Sequence, residues 1–370
     1  MEEIFSFAER CINATNNEKG GNGMKANRIV TFVLVLILSL FLGPICSYAV
    51  KEKPRVLRLA HFVFEKPAGV GAVTDQFFAD EVYKRSDGRV KIQIYWLETL
   101  GKTKELLGLV SDGTVDMAAF PAGYFPSQFP FWRWPNGTPF VMTTIEEAVQ
   151  TAIRIPQLPS IQEEIRKHNI KLLFSHVMGD YQLFAKKPVT KFQDLKGLKV
   201  RTYGDTLPRC VQSAQAVGIS VFPPEVYEAM QKGVIDAGLY DLGGGYGPKI
   251  YEVAPHINMW NIMTIVAWGI WMNLDTWDSL PADIRQIITD VSKDAMAFER
   301  ERAINFENES REALKKAGAI FHEVPDSERE KWVNACPDFL DEFINEMGKK
   351  GKGNEARQFK KSWMDIVDKY

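Results

Sequence analysis

Polar and apolar positions after residue 50 alternate between the period of a strand and the period of a helix. Residues Arg89 to Trp96 read RVKIQIYW, in which apolar and polar side chains alternate as in a strand with one buried face. Residues Gly71 to Arg85 carry apolar side chains close to helical spacing. Further strands are predicted at Arg55 to Phe62 and Val115 to Phe120, and a short helix at Thr103 to Ser111. This alternation predicts an α/β fold with a mostly parallel sheet.

The pattern returns 120 residues further along the chain. Residues Glu105 to Asp116 read ELLGLVSDGTVD, and residues Glu225 to Asp236 read EVYEAMQKGVID. Both segments are typical of an amphipathic helix, a glycine stop and an outgoing strand. A length of 370 residues is too long for one small core, so two lobes built on one plan are predicted.

A helical tail follows the second copy. Residues Ala282 to Ala317 predict one helix, which at 1.5 Å per residue is about 50 Å long. That exceeds one small lobe, so the helix is predicted to run across both. Further helical segments are predicted at Ser327 to Met347 and Glu355 to Lys369.

An apolar run precedes the α/β pattern. Residues Ile29 to Leu42 follow two basic residues and lead to small residues that end at Ala49, which predicts a secretory signal cleaved there and a periplasmic protein. An uncleaved membrane anchor is the alternative, although a spanning helix needs about 20 residues. The segment that begins at Met24 already supplies the positively charged start of a signal peptide. Within residues 1–49, residues 1–23 are therefore interpreted as an upstream extension and the remainder as the signal peptide.

The charge balance restricts the partners. The chain has 45 basic and 47 acidic residues and a net charge of −2, so no basic excess is available for a nucleic acid. An anionic ligand must therefore be held by a local charge. The five histidines form no HExxH arrangement, and no nucleophile–histidine motif is visible.

Four cysteines are present, and no pair has the spacing of a zinc or redox motif. Cys11 and Cys46 precede the predicted mature chain. Cys210 and Cys336 remain, and either a disulfide or two buried thiols fits the sequence.

Five stretches carry a family resemblance. They are DEVYKRSDGRVKIQIYW at Asp80 to Trp96, LGKTKELLGLVSDGTVDMA at Leu100 to Ala118, FQDLKGLKVRTYG at Phe192 to Gly204, VFPPEVYEAMQKGVIDAGL at Val221 to Leu239, and MNLDTWDSLPADIRQII at Met272 to Ile288. In this order they resemble the solute receptors of tripartite ATP-independent periplasmic (TRAP) transporters, in the DctP-type branch.

The resemblance implies a two-lobed, type II-like periplasmic binding protein with a long helix under both lobes. Residues 50–178 and 268–305 are predicted to form lobe I, and residues 179–267 and 306–370 lobe II. The family also implies a cleft that shuts on a small organic anion, a carboxylate or a sulfonate. It implies one small and one large integral membrane subunit as partners, driven by an ion gradient.

Arg201 is the leading candidate for ligand binding. It lies at the end of the alternating segment Leu198 to Arg201, and in similar receptors the arginine of this motif grips the ligand carboxylate. A guanidinium presents a planar fork that matches a carboxylate with two parallel hydrogen bonds. The alternative is an arginine paired with a nearby Asp or Glu.

The other candidates lie at the ends of predicted strands or where the resemblance places cleft residues. Packing within a lobe is the alternative for each of them. They are Tyr181, Tyr240, Asp241, His61, Phe62, Trp96 and Tyr124. Relatives that hold a metal use a glutamate near the position of Leu239, so no metal or other cofactor is predicted. The glycine-rich run 242–247 predicts a flexible turn near the hinge, and the aromatic run 129–135 either a cleft mouth or a crossing segment.

Two other functions remain open on the sequence. One is a receptor of an ATP-driven importer, which would share the same anatomy. The other is a two-lobed periplasmic enzyme, for which no catalytic motif is present.

Overall fold

The computed structural model describes residues 53–65 and 69–370, in which helices flank two β-sheets. The predicted signal segment, its cleavage site, Cys11 and Cys46 lie outside the described residues. In chain order the strands are β1 Arg55–Ala60, β2 Val90–Tyr95, β3 Met117–Phe120, β4 Ile170–Met178, β5 Gln182–Ala185, β6 Lys199–Thr202, β7 Val217–Ser220, β8 Ala237–Tyr240, β9 His256–Met259, β10 Ile265–Asn273 and β11 Ile320–Glu323.

Thirteen α-helices accompany these strands in the described part of the chain. They are α1 Val70–Arg85, α2 Leu106–Ser111, α3 Ile145–Arg154, α4 Pro159–Arg166, α5 Thr206–Ser213, α6 Val226–Gln231, α7 Leu242–Tyr246, α8 Ile250–Val253, α9 Leu274–Asp278, α10 Ala282–Lys316, α11 Asp326–Ala335, α12 Phe339–Lys349 and α13 Gly353–Val367.

The two sheets share a topology. The first has the order β2-β1-β3-β10-β4, and the second the order β11-β9-β5-β8-β6-β7. In the first, β1 pairs in parallel with β2 and β3, and β10 runs antiparallel to β3. In the second, β6 pairs in parallel with β7 and β8, and β5 runs antiparallel to β8. We call the parts around these sheets the first and second lobes.

The sequence echo coincides with this shared topology. In each copy a short helix, α2 or α6, leads into the third parallel strand, β3 or β8. The Asp116 carboxylate accepts a hydrogen bond from the backbone N–H of Arg58 at 2.8 Å, and the Asp236 carboxylate accepts one from that of Lys199 at 3.2 Å. The repeated aspartate therefore ties the third strand of each sheet to the first.

The long helix α10 packs against both lobes. It contacts α1 and β4 of the first lobe and α7 of the second. Its buried positions begin at Ile284 and Ile288 and continue to Leu314, which lies in the hydrophobic core of the second lobe. The long helix thus reaches from one lobe to the other, as predicted, and its buried face includes the polar side chains of Glu299 and Ser310.

The C-terminal region differs in detail from the sequence prediction. The segment Ser327 to Met347 is two helices, α11 and α12, because Pro337 lacks a backbone N–H and interrupts the helix. Cys336, at the end of α11, forms a disulfide with Cys210 of α5, with Cα atoms 4.9 Å apart. This joins two helices separated by 126 residues of sequence.

The aromatic run 129–135 lies in the hydrophobic core. Phe131 packs edge-on against Phe343 of α12 at 5.3 Å, and Trp134 lies 4.9 Å from the same ring. The C-terminal helices therefore cover this run. The predicted lobe boundaries fall near the chain crossings, between β4 and β5 and between β9 and β10, and they remain a prediction. Among the described residues, no helix combines the length and apolar character needed to cross a membrane.

Candidate functional site

A cavity of about 170 Å³ lies between the two lobes. Both lobes and helix α10 supply its walls, and the ends of β6 and β8 point toward it, as expected for ligand sites at the carboxyl ends of parallel strands. Six of the eight residues predicted from sequence line it, namely Arg201, Tyr181, Tyr240, Asp241, Phe62 and Tyr124.

Arg201 is buried, with 3% of its surface exposed. Its Nε donates a hydrogen bond to the backbone oxygen of Val221 at 3.0 Å, and Nη2 donates to the Tyr124 hydroxyl at 3.3 Å. Within the described residues, no carboxylate oxygen lies within 4.0 Å of the guanidinium. Since an arginine has five N–H donors, the guanidinium keeps donors free at the cavity wall. A buried, unpaired cation is costly, so this geometry favours an anion as its partner.

Tyrosine rings surround this guanidinium. The Arg201 Cζ lies 4.9 Å from the Tyr203 ring centre and 5.4 Å from that of Tyr240. Burial raises the pKa of Tyr240 to about 12, against the lowering effect of the nearby Arg201 charge. Burial likewise raises the pKa of Tyr181 and Tyr203. These hydroxyls are therefore neutral at physiological pH and can donate or accept hydrogen bonds.

The structure places His61 and Trp96 behind the cavity wall. The His61 Nε2 is 2.8 Å from the Asp75 carboxylate, and its Nδ1 accepts a hydrogen bond from the backbone N–H of Val63 at 3.1 Å. Both ring nitrogens therefore have protein partners. The Trp96 ring lies 4.6 Å from the His61 ring and is not part of the lining. His61 and Trp96 directly follow β1 and β2 instead of ending them as predicted, and Phe62 lines the cavity.

The side of the cavity formed by α7 and α10 is acidic. Asp241 caps α7, since its carboxylate accepts a hydrogen bond from the backbone N–H of Gly244 at 3.1 Å. Burial raises the pKa of Asp241 to about 7. Glu307 projects from α10 beside it, and burial, followed by repulsion from Asp241, raises the pKa of Glu307 to about 8.

The glycine-rich run is a helix, α7, and not the flexible turn predicted. Its glycines allow close approach of neighbouring rings. A Cβ on Gly243 would lie 2.2 Å from the Phe306 ring, and a Cβ on Gly245 would lie 2.2 Å from the Phe184 ring. The run therefore lets α10 pack close to the second sheet and brings Glu307 to the cavity.

The sequence reasoning missed other lining residues, among them Tyr203, Asn136, Trp268 and Glu307. Tyr203 could have been found, because a strand places residues two apart on the same face, here that of Arg201. Trp268 could not have been found, because it lies in the fully buried strand β10, where polar and apolar residues do not alternate and so do not mark the cavity face. Its Nε1 has no hydrogen-bond partner in the described part of the chain.

Polar contacts join the two lobes at one edge of the cavity. The Tyr203 hydroxyl donates to the backbone oxygen of Asn136 at 2.8 Å. Asp205, which follows β6, forms an ion pair with Arg133 of the first lobe. Together with the Arg201 to Tyr124 bond, these contacts join the two lobes across the cavity. The described residues contain no group of three or more His, Cys, Asp or Glu side chains placed to hold a metal ion.

Comparison with known proteins identifies the family. A family model described as bacterial extracellular solute-binding protein, family 7 (DctP), matches residues 60–346. The C4-dicarboxylate-binding periplasmic protein DctP of Rhodobacter capsulatus is 25% identical over 307 residues, covering 80% of this chain and 88% of that protein.

Solved structures share the fold. A TRAP periplasmic solute-binding protein from Chromohalobacter salexigens, with bound d-glucuronate, has a TM-score of 0.74 at 20% identity over 84% of this chain and 99% of that chain. DctP7, a Bordetella pertussis extracytoplasmic solute receptor binding pyroglutamic acid, has a TM-score of 0.75 at 21% identity over 85% and 99%. Since the family model spans most of the sequence and the fold agrees, this chain belongs to the DctP family of bacterial extracellular solute-binding proteins.

Proposed function

We propose that this chain is an exported receptor that captures a small organic anion, a carboxylate or a sulfonate, between its two lobes. Hinge closure then traps the anion, and the closed receptor delivers it to the small and large integral subunits of a TRAP-type secondary transporter. The observation that carries the proposal is the buried guanidinium of Arg201, which faces the cavity without a carboxylate partner among the described residues.

The mechanism follows from the position of this charge between the lobes. Arg201 belongs to the second lobe, and Tyr124, its hydrogen-bond partner, to the first. An anion on the guanidinium would be enclosed by both lobes only when they meet, so it would bind the closed form more tightly than the open one. Exclusion of water lowers the effective dielectric around the pair and strengthens it. Tyr124, Tyr181 and Tyr240 are proposed to orient the ligand through their hydroxyls.

The relatives support an organic acid as the ligand. The names and bound compounds of the three proteins compared above are a C4-dicarboxylate, d-glucuronate and pyroglutamic acid. All three compounds carry a carboxylate. The remaining groups of the three compounds differ. The relatives therefore support a carboxylate bound to Arg201, and the other walls of the cavity would select the rest of the ligand.

Export is part of the proposal. The segment Ile29 to Leu42 and the small residues up to Ala49 would direct the chain to the periplasm and be removed there. N-terminal sequencing of the protein recovered from the periplasm should give a start at Val50. A chain that keeps its apolar run would contradict the cleavage.

Substitution of Arg201 tests the binding role. Arg201→Lys keeps the charge but loses the planar fork, so the dissociation constant for any organic acid bound by the wild type should rise by about tenfold or more. The measurement is isothermal titration calorimetry after a thermal-shift screen of dicarboxylates, sugar acids, cyclic acids and sulfonates. The matched control is Arg209→Lys, since Arg209 lies outside the cavity in an ion pair with Glu342.

Two results would contradict the proposal. The first is unchanged affinity in Arg201→Lys, and the second is failure of every organic acid to bind the folded wild type. Mass spectrometry of the released compound separates a receptor from an enzyme, because a receptor returns its ligand unchanged. Uptake that stops when the ion gradient is collapsed at constant ATP separates a TRAP transporter from an ATP-driven importer.

A further inference from the structure

The acidic wall of the cavity lies within the same enclosed space as Arg201. Asp241 follows the end of β8, and Glu307 lies on α10, which packs against α7. The Glu307 carboxylate is so close to the backbone of Gly179 that a Cβ there would lie 2.8 Å from its Oε2 and 3.7 Å from the Asp241 Cβ. Two acidic groups from different elements therefore converge on one point of the cavity wall.

Neither carboxyl has a basic partner. In the described part of the chain, no Lys, Arg or His nitrogen lies within 4.0 Å of the carboxylate oxygens of Asp241 or Glu307. Asp241 is 7% exposed, and one of its oxygens accepts the capping bond from Gly244. A buried carboxylate without a cation is costly, and a cation in the cavity would remove that cost.

A second, independent observation points to a ligand in this space. The Tyr240 hydroxyl and the Trp268 Nε1 belong to lining residues that are 7% and 8% exposed, and neither atom has a hydrogen-bond partner within residues 53–65 and 69–370. Buried polar atoms are nearly always hydrogen-bonded, so these two are poised for groups that the ligand brings. With Arg201, the cavity thus presents a cation, two acids and two unused polar groups.

We propose that the ligand is a small zwitterion, whose carboxylate binds Arg201 and whose cationic nitrogen lies against Asp241 and Glu307. This inference rests on the proposed function, because it assumes that Arg201 holds the anionic end. A ligand of this kind gives the Arg201 guanidinium an anionic partner and gives Asp241 and Glu307 a shared cationic one.

The acidic wall also makes binding depend on pH. Burial raises the pKa of Asp241 to about 7 and that of Glu307 to about 8. The charge of Arg311 lowers the pKa of Glu307, and the charge of Asp180 raises it. Tyr181 lies near Asp241. A cationic nitrogen needs ionised carboxylates, so its binding should tighten as pH rises through 7 to 8 and should release protons.

Matched ligand pairs test the inference. The pairs are proline and cyclopentanecarboxylate, pipecolate and cyclohexanecarboxylate, and 4-aminobutyrate and butyrate, each differing by the cationic nitrogen. Titration calorimetry on the full mature chain should show the zwitterion of each bound pair preferred by about tenfold or more. That preference should grow between about pH 6 and about pH 8.5, with proton release seen in buffers of different ionisation enthalpy.

Substitutions test whether the carboxyls of the acidic wall cause this preference. Glu307→Gln should reduce the preference for each zwitterion over its matched acid towards unity, because only the zwitterion brings a cation to Glu307. Asp241→Asn should act in the same direction, and asparagine keeps the α7 cap. Glu309→Gln, an exposed carboxylate on the same helix, is the matched control and should leave the preference unchanged.

The possible outcomes distinguish failure of this inference from failure of the proposed function on which it rests. If the acids bind as tightly as their zwitterions, or if Glu307→Gln weakens both equally, the inference is overturned and the organic-anion receptor stands. If Arg201→Lys leaves binding intact, or if no compound of either kind binds folded protein, the proposed function falls with it.

Discussion

At the scale of the residue, a chain of buried charges links three elements of the first lobe to the long helix. His176 of β4 lies between two carboxylates, with Nε2 2.9 Å from Asp75 and Nδ1 bonded to Glu299 of α10. Burial alone would lower the pKa of His176, but Asp75 and Glu299 raise it to about 10. Burial would raise the pKa of Asp75, but His176 and His61 lower it to about 2. His176 is therefore a cation that neutralises the interior.

Replacing this cation should be costly. His176→Gln leaves Asp75 and Glu299 buried without a positive partner, so the free energy of unfolding should fall by about 3–5 kcal/mol. Chemical denaturation of the purified protein measures it. His168→Gln is the control, because that ring is only partly buried and its Nε2 lies beside the backbone oxygen of Gln128 instead of a carboxylate. An equal loss in both variants would contradict the role of the buried charge.

The same histidine fixes a pH dependence. Since the pKa of His176 is raised from its ordinary value near 6.5 to about 10, its contribution to stability is complete below pH 6.5 and lost as pH rises through 10. The free energy of unfolding of the wild type should therefore decline from about pH 7 to about pH 10, and less so in His176→Gln. If the free energies of unfolding of the two proteins decline equally over this range, His176 does not cause the pH dependence.

At the scale of the element, the duplicated helix–strand unit was readable because its signals are local. Gly113 and Gly233 end their helices at φ values of 71° and 74°, which glycine adopts without strain. The aspartate three residues later ties its strand to the neighbouring one. The disulfide between Cys210 and Cys336 could not be predicted from the sequence, because it depends on how α5 and α11 pack against each other. In that packing, Trp332 Nε1 donates a hydrogen bond to the Cys210 backbone oxygen at 2.9 Å.

The disulfide should contribute measurably to stability. Cross-linking residues 126 apart restricts the unfolded chain, so Cys210→Ser with Cys336→Ser should lower the free energy of unfolding by about 2–4 kcal/mol. Guanidinium denaturation measures the loss, and a reducing agent should destabilise the wild type but not the double variant. Two free thiols per mature wild-type chain in a thiol titration would contradict the bond.

At the scale of the whole molecule, the long helix and the contacts across the cavity couple the lobes. Helix α10 carries Glu299 into the first lobe and Glu307 to the cavity. Arg133 and Asp205 form an ion pair at the edge of the cleft, and Asp205 does not line the cavity. A contact of this kind favours the closed form without touching the ligand.

Weakening this contact should therefore affect closure. Asp205→Asn should raise the dissociation constant of a bound ligand a few-fold, since a smaller closed fraction lowers the apparent affinity. Small-angle scattering should show the unliganded variant more expanded than the wild type, and saturating ligand should return both to one size. Asp278→Asn, an exposed pair with Arg285, is the control. A smaller dissociation constant or an unchanged size would contradict the closing role.

The sequence by itself determined the local elements, the repeated plan and the long helix, since periodicity, glycine stops and strand alternation act between near neighbours in the chain. Arg201 was singled out by the family resemblance of the stretch Phe192 to Gly204. Only the tertiary structure decided which side chains face the cavity. His61 and Phe62 are adjacent, yet one is bonded to Asp75 and the other lines the wall. Glu307 lies in a charged helical segment typical of a solvent face, and packing against glycines of α7 brought it to the cavity. Such choices depend on contacts between residues far apart in sequence, which no local pattern records.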